Sequence, residues 1–525
     1  PAVESYLNKI KVLRSIAHKI IDFLAQFENF QKKLWLKKKF VVETNYCITL
    51  DRIPEELYPE IVEHAENRSI CPDGEERNQR EEWVNLFAID EIEGELTTTA
   101  YSEPLTVDFL KANPYLTLDT QFLPLSLKQK LLANIEGFDD QCDGLFVHSE
   151  SSQALQLIRR RYKNQINTIY NDPPFNTNEG AFLYKNAYKH SSWSSMIYQT
   201  TFAASTLLHP IGAITTAIDD YEIYQLGKIC DEIFGIDGRL GVLTVEIKPS
   251  GRTNDNFLVT SHEYYVFYSF NPTKTPIAFF ELTEGQKKEY AYSDDYGAYK
   301  WRDFLRTGGY STPQERPNSY YPIYFSEDTG EMSLTKHRNW EEIYPIDSQG
   351  RQRVWRKTPD SFQKHLQDGE IKVFRNKSGT LKVQIIDRIK EGTRPKSMWT
   401  GSQYDASYYG TKLLNSMFGS SVPFTFPKSL YATQDVTYIL SGQQKNASIL
   451  DCFAGSGTTG HAVINLNRKD GGTRKYILTE MGDYFDTALK PRIQKVVYSR
   501  DWQDGKPTTR NTGMSHCFKY LRLES

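Results

Sequence analysis

The segment from Ser448 to Gly460 constrains the fold of this chain more than any other segment. Residues 448–453 form a short apolar run, and residues 454–460 form a turn of small residues, A-G-S-G-T-T-G. Small residues let the backbone approach a ligand closely, and a helix that starts at the turn offers free N–H groups. The segment therefore predicts a strand, a cofactor-binding turn and a helix within an α/β fold with a parallel sheet.

The residues around this turn bear on the kind of cofactor. Gly455 to Gly460 spells G-x-G-x-x-G, a dinucleotide-binding pattern. The glycines, however, follow Asp451 and Phe453, and the next apolar run ends at Glu480, where a carboxylate can accept hydrogen bonds from ribose hydroxyls. Because the turn has neutral surroundings, a cofactor without phosphates fits better. S-adenosylmethionine is favoured over a nicotinamide or flavin cofactor and over a turn that binds nothing.

A second motif, Asn171-Asp172-Pro173-Pro174-Phe175, follows the apolar run 166–170. Two prolines remove two N–H donors, so the polar groups left are mainly acceptors. The Asp172 carboxylate and the Pro173 carbonyl can each accept an N–H from an exocyclic amine, which localises its lone pair for attack on a methyl sulfonium. Phe175 would stack on a base that has left the duplex. Alone, the motif is more often a rigid strand-to-loop turn; paired with the glycine turn, it predicts methylation of a base amino group.

Composition excludes several other classes of protein. The 525 residues are too many for one core, which suggests two to four units. No apolar run is long enough to cross a bilayer, so we expect a cytoplasmic protein without membrane contact. The six cysteines are widely spaced, which argues against structural zinc and against a disulfide framework. The net charge of -3 gives no global attraction to DNA, so a DNA-binding face requires local charge.

The motifs and their order resemble the beta group of amino-group DNA methyltransferases, in which the catalytic motif precedes the cofactor motif. The closest resemblance is to the modification subunits of type III restriction–modification systems. It rests on these residues and segments: 171–177 (N-D-P-P-F-N-T), 218–220, 231–235, 316–318, 321–323, 426–429 (F-P-K-S), 451–460 and 479–480. The resemblance implies a Rossmann-like S-adenosylmethionine-dependent methyltransferase domain with an inserted target-recognition region and a helical N-terminal extension.

The resemblance also implies roles for individual residues. Its catalytic loop falls on Asp172, Pro173, Pro174 and Phe175, and no metal is implied. Its cofactor site falls on these residues: Asp451, Phe453, Gly455, Gly457, Thr458 and Glu480, with Lys428 in the segment that closes the site. The chain departs from the family pattern where Phe175 replaces the usual Tyr and where Ser149 replaces a Gly. A contact between Glu150 and the cofactor stays open.

The identity of the target base is a statistical preference. An acidic first position, Asp172, is usual for N6-adenine enzymes, whereas N4-cytosine enzymes more often begin with Ser. Cytosine-C5 methylation is disfavoured because its Pro-Cys nucleophile is absent from the sequence, and Cys452, inside the cofactor strand, is expected to pack in the core. Two other functions stay open: a non-catalytic DNA-recognition subunit and a nucleotide-dependent oxidoreductase.

The expected organisation has five parts. They are an N-terminal accessory region (1–130), the catalytic half of the methyltransferase domain (131–274), a target-recognition region (275–405), the cofactor half (406–500) and a C-terminal tail (501–525). Residues 4–38 have apolar positions at helical spacing, typical of a helix that packs on its own domain or binds a partner. The chain also begins at Pro1, so we expect a portion of something longer.

The partners expected are double-stranded DNA and, by resemblance, a restriction translocase–nuclease subunit and a second copy of the chain. Residues 351–396 carry 13 Lys or Arg against 5 Asp or Glu, a local excess that suits DNA phosphates. The residues that could contact DNA are Arg302, Arg306, Arg316, Arg351, Arg353, Arg356, Lys357 and Lys396, with Tyr310, Tyr320, Trp355 and Trp399 nearby. For any single one of them, a solvated surface charge is the favoured interpretation, and the local basic excess is the better evidence.

Overall fold

The structure, a computed structural model, describes residues 2–35, 38–71, 74–93, 99–177, 186–251, 257–419 and 424–524. The chain divides into two compact units. One consists of Pro1–Ala278 together with Lys396–Ser525, and the other of Phe279–Pro395. Within the described ranges, no helix is both long enough and apolar enough to cross a bilayer.

The first unit is built on an eleven-stranded sheet. Its strands, in chain order, are β1 (Val41–Thr49), β2 (Thr117–Asp119), β3 (Gly144–His148), β4 (Ile166–Asn171), β5 (Leu208–Ile218), β6 (Arg239–Glu246), β7 (His262–Tyr268), β8 (Met398–Trp399), β9 (Ser448–Asp451), β10 (Lys475–Glu480) and β11 (Cys517–Leu523). The spatial order is β8-β6-β7-β5-β4-β9-β10-β3-β11-β1-β2. The order differs from the chain order because helices carry the chain across the sheet between strands.

The six central strands, from β5 to β11, are all parallel. Strand β7 runs antiparallel to both of its neighbours, β5 and β6. The central strands are apolar because helices cover both faces of a parallel sheet; Ile449 and Leu450 of β9, for example, are fully buried. This is the Rossmann-like α/β fold that the sequence predicted. Its carboxyl edge, where parallel strands end together, is where such sheets bind ligands.

The α-helices lie in both units, with Glu284–Lys288 and Pro359–Gln367 in the second unit and the others in the first. Their bounds are Ala2–Trp35, Tyr58–His64, Gln79–Phe87, Val107–Ala112, Leu125–Ala133, Phe138–Gln141, Ser151–Tyr162, His190–Ser205, Ile223–Phe234, Glu284–Lys288, Pro359–Gln367, Leu413–Phe418, Leu430–Ser441, Thr458–Asp470 and Lys490–Tyr498. The helix of the glycine-rich motif, Thr458–Asp470, ends at Gly471 with φ +65°, a left-handed position that suits glycine.

Both ends of the chain contribute to the sheet, unlike the accessory region and the tail that the sequence suggested. Strand β11 pairs in parallel with β3 and antiparallel with β1. The Nζ of Lys490 lies 2.8 Å from Oδ2 of Asp119, and this ion pair is buried at 5% and 0% exposure. The expectation of a tail after residue 500 was wrong, because the alternating run at 517–523 completes the sheet next to β3.

The described side chains of the first helix are exposed, unlike those of a helix that packs on its own domain. Its side chains from Glu4 to Gln26 are exposed, including the apolar Leu7 (52%) and Ile10 (45%). The expectation of a helix that docks on its own domain was therefore wrong for the described side chains. The alternative, a helix that binds a partner, stays a prediction.

The second unit is mainly antiparallel. Its strands are Tyr292–Asp294, Gly297–Asp303, Leu305–Arg306, Ile323–Phe325, Met332–Ser333, Glu341–Ile343, Val354–Trp355, Ile371–Arg375 and Leu381–Arg388. Four of them form one sheet, and a core that includes Phe304, Trp355 and Phe362 packs beneath it. The remaining short strand pairs, Ser69–Ile70 with Glu76–Arg77 and Trp502–Gln503 with Lys506–Pro507, belong to the first unit.

Candidate active site

The two motifs open from neighbouring strands at the same edge of the sheet. Strand β4 ends at Asn171 and leads into the Asp172 loop, and strand β9 ends at Asp451 and leads into the glycine turn. The two strands are parallel, and Asp451 aligns with Tyr170. Because the strands end together, residues far apart in sequence come close in space. The fold thus brings together the catalytic and cofactor motifs.

Buried hydrogen bonds hold the catalytic loop. The Nε1 of Trp193, on the helix His190–Ser205, donates to the Pro174 carbonyl at 2.7 Å. Asn176 has φ +63°, and its side chain donates to Glu222 Oε1 at 2.6 Å and accepts from the Tyr188 N–H at 2.6 Å. These bonds fix the loop on both sides of Phe175, so the position of that ring is set before a substrate binds.

The Asp172 carboxylate lies in a cluster of charged side chains. The Nζ of Lys428 is 3.1 Å from Asp172 Oδ1 and 2.7 Å from Glu263 Oε2, and it lies 3.8 Å from the centre of the Phe175 ring. The Tyr265 hydroxyl donates to the other oxygen of Glu263 at 2.7 Å. The side chains of Asp172, Lys428 and Glu263 are 23%, 17% and 1% exposed. The cluster has two carboxylates and one ammonium, a net charge of about -1 when all are ionised.

This burial shifts the pKa values of the cluster. Burial raises the pKa of Asp172 to about 6, and Glu263 adds to the increase, while the Lys428 ammonium opposes it. Burial alone lowers the pKa of Lys428, but Asp172 and Glu263 outweigh it and raise the net value. Lys428 therefore stays charged near neutral pH, and Asp172 is a carboxylate that changes its protonation state close to physiological pH.

The glycine turn has the backbone that its residues predicted. Gly455 and Gly457 have φ +53° and +81°, in the left-handed region where other residues are strained. A Cβ at Gly455 would lie 3.2 Å from the Phe424 ring, so a side chain there would meet that ring. The Gly455 N–H donates to Glu480 Oε2 at 2.8 Å, and Glu480 Oε1 accepts from the Tyr484 hydroxyl at 2.9 Å. Glu480 therefore shapes the turn.

The acidic end of strand β9 is also built into the turn. Asp451 accepts a hydrogen bond from the Phe453 N–H at 2.9 Å and another from the Thr459 hydroxyl at 2.5 Å. Burial raises the pKa of Asp451 to about 7, and it raises the pKa of Glu480 as well. With Asp172, these carboxylates make an edge of the sheet that disfavours a phosphate and favours a cationic ligand.

A buried arginine, which the sequence analysis missed, supports the turn. The Nη1 of Arg492 donates to the hydroxyls of Ser456 at 2.9 Å and Thr458 at 2.8 Å, and its side chain is fully buried. Thr458, a predicted cofactor ligand, therefore uses its hydroxyl to accept from Arg492. His461, in the first turn of the helix that follows the glycine turn, is buried, and burial lowers its pKa well below the usual value, so it is neutral.

The structure changes the position expected for three residues. Lys428 was predicted in the segment that closes the cofactor site, but its ammonium contacts the catalytic loop; its cofactor role stays a prediction. Trp355 and Trp399, proposed near DNA, are 3% and 5% exposed, so their rings pack in cores and are not available to bases. Cys452 is buried in the core, as expected.

Glu263 is the other residue that the sequence analysis missed. It lies on β7 on the same face as Tyr265, because residues two apart in a strand point to one side. A carboxylate within a run of aromatic residues, H-E-Y-Y-V-F-Y, is the signal that could have drawn attention to it. Glu150 starts the helix Ser151–Tyr162, and the neighbouring Ser149 N–H donates to the Glu480 carbonyl at 2.9 Å. A Glu150 contact with the cofactor stays open.

Comparison with known proteins agrees with this geometry. The chain is 30% identical over 361 residues to the type II methyltransferase M.KpnI of Klebsiella pneumoniae, covering 66% of this chain and 83% of that one. It is 29% identical over 379 residues to the Mod subunit of the type III enzyme EcoPI of Escherichia phage P1, covering 63% of this chain but only 56% of that subunit.

Solved structures are more distant. One, the M1.HpyAVI complex with S-adenosylmethionine, is 13% identical, covers 67% of this chain and 98% of its own, and has a TM-score of 0.30. The family model named N6_N4_Mtase, described as DNA methylase, matches residues 166–490, which include both motifs and the segment between them. This chain belongs to the N6/N4 family of DNA methylases.

Proposed function

We propose that this enzyme transfers a methyl group from S-adenosylmethionine to the N6 amino group of adenine in duplex DNA, at specific sites, after the base has been flipped out of the helix. The family depends on S-adenosylmethionine, which supplies an electrophilic methyl group. The observation that carries the proposal is the adjacency of β4 and β9, since it opens the Asp172 loop and the glycine turn at one sheet edge.

The residues of the turn fit this cofactor. Gly455 and Gly457 keep the backbone clear of side chains, and the carboxylates of Asp451 and Glu480 suit a ligand with positive charge better than a pyrophosphate. The carboxylates of Asp451 and Glu480 are the groups that we propose bind the cofactor, with Phe453 beside them. This charge pattern disfavours the nicotinamide alternative.

The residues of the catalytic loop would prepare the amine. We propose that Asp172 and the Pro173 carbonyl each accept an N–H of the target amino group; within the described residues, no protein group donates to that carbonyl. Accepting both protons localises the nitrogen lone pair and stabilises the positive charge that develops there. Phe175 provides the face on which the flipped base stacks.

The choice of adenine over cytosine rests on the acidic Asp172 at the first position of the motif, and N4-cytosine is the alternative. The test is methylation of duplex DNA with labelled S-adenosylmethionine, digestion to nucleosides and separation of N6-methyladenine from N4-methylcytosine. We expect label in adenine, and label in cytosine alone would refute the base assignment. Sequencing of modified adenines would then give the recognition sequence.

The mechanism is tested by Asp172→Ala. We expect methyl transfer to fall by about 10³-fold or more, while the affinity for S-adenosylmethionine, measured by calorimetry, stays within about twofold, because Asp172 faces the amine. His209→Ala, a change at a partly buried position near the start of strand β5, at the end of the strand opposite both motifs, is the control. Unchanged turnover in Asp172→Ala would exclude this role.

We also propose that residues 275–405 recognise the target sequence, and that the enzyme is the modification component of a restriction or phage-defence system. The similarity to a type III Mod subunit supports a translocase–nuclease partner, and a second copy of the chain is a further candidate partner. An enzyme that modifies cellular DNA would act in the cytoplasm. Co-purification of the untagged partner and light scattering of the purified chain test these two associations.

A further inference from the structure

The Lys428 ammonium makes the two contacts that the target base would make, one with the Asp172 carboxylate and one with the Phe175 ring. It lies 3.1 Å from Asp172 Oδ1 and 3.8 Å from the centre of the Phe175 ring. In the proposed reaction, a base stacks on that ring and its amino group donates to that carboxylate. Because two groups cannot fill the same space, the ammonium and the target base exclude each other.

A second anion offers the ammonium an alternative place. Glu263 Oε2 is 2.7 Å from the Lys428 Nζ, and the Tyr265 hydroxyl donates to the other Glu263 oxygen at 2.7 Å. The Glu263 side chain is 1% exposed, so it would be left as an unpaired buried charge without the lysine. Lys428 can therefore lose Asp172 and keep Glu263 as its partner.

We propose that Lys428 is a placeholder for the target amino group: its ammonium occupies the amine's position in the free enzyme and, when the flipped base enters, it leaves Asp172 and keeps Glu263 as its partner. This inference rests on the proposed function, since it assumes that an amine binds at Asp172. Lys428 and Glu263 are positioning residues, because they act on the substrate site through Asp172 and Phe175.

The chemistry of the site explains why an ammonium fits there. During methyl transfer, the target nitrogen becomes tetrahedral and positively charged, and one of its N–H groups points at Asp172. A lysine ammonium is also a tetrahedral nitrogen cation with N–H donors, and it stacks favourably over an aromatic face. The free enzyme thus holds a cation where the reaction generates one, which keeps the Asp172 carboxylate paired until a base replaces it.

The placeholder has a measurable cost for DNA binding. If the ammonium fills the position nine-tenths of the time, the apparent affinity for a flipped base is reduced about tenfold. Removing the ammonium should therefore tighten target binding. Removing the anion that receives it should weaken target binding, because the ammonium would then stay on Asp172. A salt bridge with only a structural role predicts effects in the same direction for both changes.

The experiment measures duplex binding by Lys428→Met, Glu263→Gln and the double variant, with S-adenosylhomocysteine present so that no methyl is transferred. The duplex carries the sequence that the wild-type enzyme methylates, with 2-aminopurine next to the target position to report flipping and adenine at the target position itself. A matched duplex has an abasic nucleotide there. We expect about tenfold tighter binding for Lys428→Met, weaker binding for Glu263→Gln, no change with the abasic duplex, and a double variant that behaves like Lys428→Met.

The pH profile gives a second readout. Since Lys428 lowers the pKa of Asp172 and Glu263 raises it, the acidic limb of the methylation rate should move up in Lys428→Met and down in Glu263→Gln. The charged or titratable groups that bear on Asp172 are Lys428, Glu263, Asp451, Tyr170 and Tyr265, and the last two have pKa values raised well above the usual one by burial. They stay neutral across this range.

The following outcomes decide between the proposals. Shifts of target affinity in the same direction for both single variants, or an unchanged affinity in Lys428→Met, would overturn the proposal that Lys428 is a placeholder. If Lys428→Met does not fold, Lys428→Arg replaces it; its larger cation should fill the position more persistently and weaken target binding, and stronger binding would refute the proposal. If the wild-type enzyme methylates no DNA, the proposed function fails, whereas methylation without the divergent shifts rejects this inference alone.

Discussion

The ionisation of Asp172 predicts how the rate of methylation depends on pH. In the proposed mechanism Asp172 accepts the amine N–H as a carboxylate, and burial raises the pKa of this group to about 6. A raised pKa means that the active form is lost as the pH falls through that value. The ionised fraction is about one half at pH 6 and about one tenth at pH 5, so the rate at pH 5 should be roughly tenfold below its plateau above pH 7.

The assay is the initial rate of label transfer from S-adenosylmethionine to DNA at DNA concentrations well below KM, between pH 5 and 8. Under this condition the profile reports the free enzyme, in which Lys428 pairs with Asp172. Asp451 has a pKa of about 7 and titrates in the same range. Cofactor binding is therefore measured by calorimetry at each pH. The Asp451→Asn variant has no titrating carboxyl group at that position, so the loss of its rate at acidic pH reports the protonation of Asp172.

The result that would refute the reasoning is a rate that stays constant down to pH 5 while cofactor binding remains saturated. It would mean that a protonated Asp172 supports the reaction, and the amine would then need another acceptor. A limb near pH 4, the usual range for an aspartate, would show that the Lys428 ammonium compensates fully for the burial of the carboxylate.

Two further substitutions test the turn and the N-terminal region. Gly455→Ala and Gly471→Ala both place a side chain at a left-handed φ, which costs about 1–2 kcal/mol of stability. Only Gly455→Ala should weaken S-adenosylmethionine binding in calorimetry. An equal loss of affinity in both variants would contradict the role of the turn. Lys490→Met leaves Asp119 buried without its cation and should cost about 3–5 kcal/mol in urea unfolding. The exposed Lys506→Met should cost less than about 1 kcal/mol, and similar values for the two would be inconsistent with N-terminal residues forming part of the sheet.

Some of this site could be predicted from sequence because its chemistry coincides with local patterns. The runs that became β4 and β9 end directly at Asp172 and Asp451, so the motifs identify the strand ends by themselves. Parallel strands end at a common edge of the sheet. The resemblance to a family with this motif order assigns both motifs to one domain, so we expected the two motifs to lie close together at that edge. These inferences need only short segments and one rule about parallel sheets.

The rest of the site depends on long-range topology. Glu263 and Lys428 are 165 residues apart in sequence, and their contact arises because β7 runs antiparallel beside β5 and the lysine precedes the helix Leu430–Ser441. Neither segment has a pattern that names its partner. Trp355 was predicted near DNA because basic residues surround it in the sequence. Its ring is instead buried in a core, since burying a large aromatic ring is favourable.

The charges of the site also bear on the order of events. Asp172 follows strand β4, and Asp451 and Glu480 are the last residues of the neighbouring strands β9 and β10. Burial raises the pKa of each carboxyl group, so the ionised forms are unfavourable in the free site. A cationic cofactor stabilises the ionised forms of Asp451 and Glu480, but Asp172 is already paired with Lys428. When the base displaces the lysine, Asp172 loses its cation and has no positive partner until positive charge develops on the amine. The interaction of the carboxylate with that charge is then strongest in the transition state, the condition under which binding energy increases the rate.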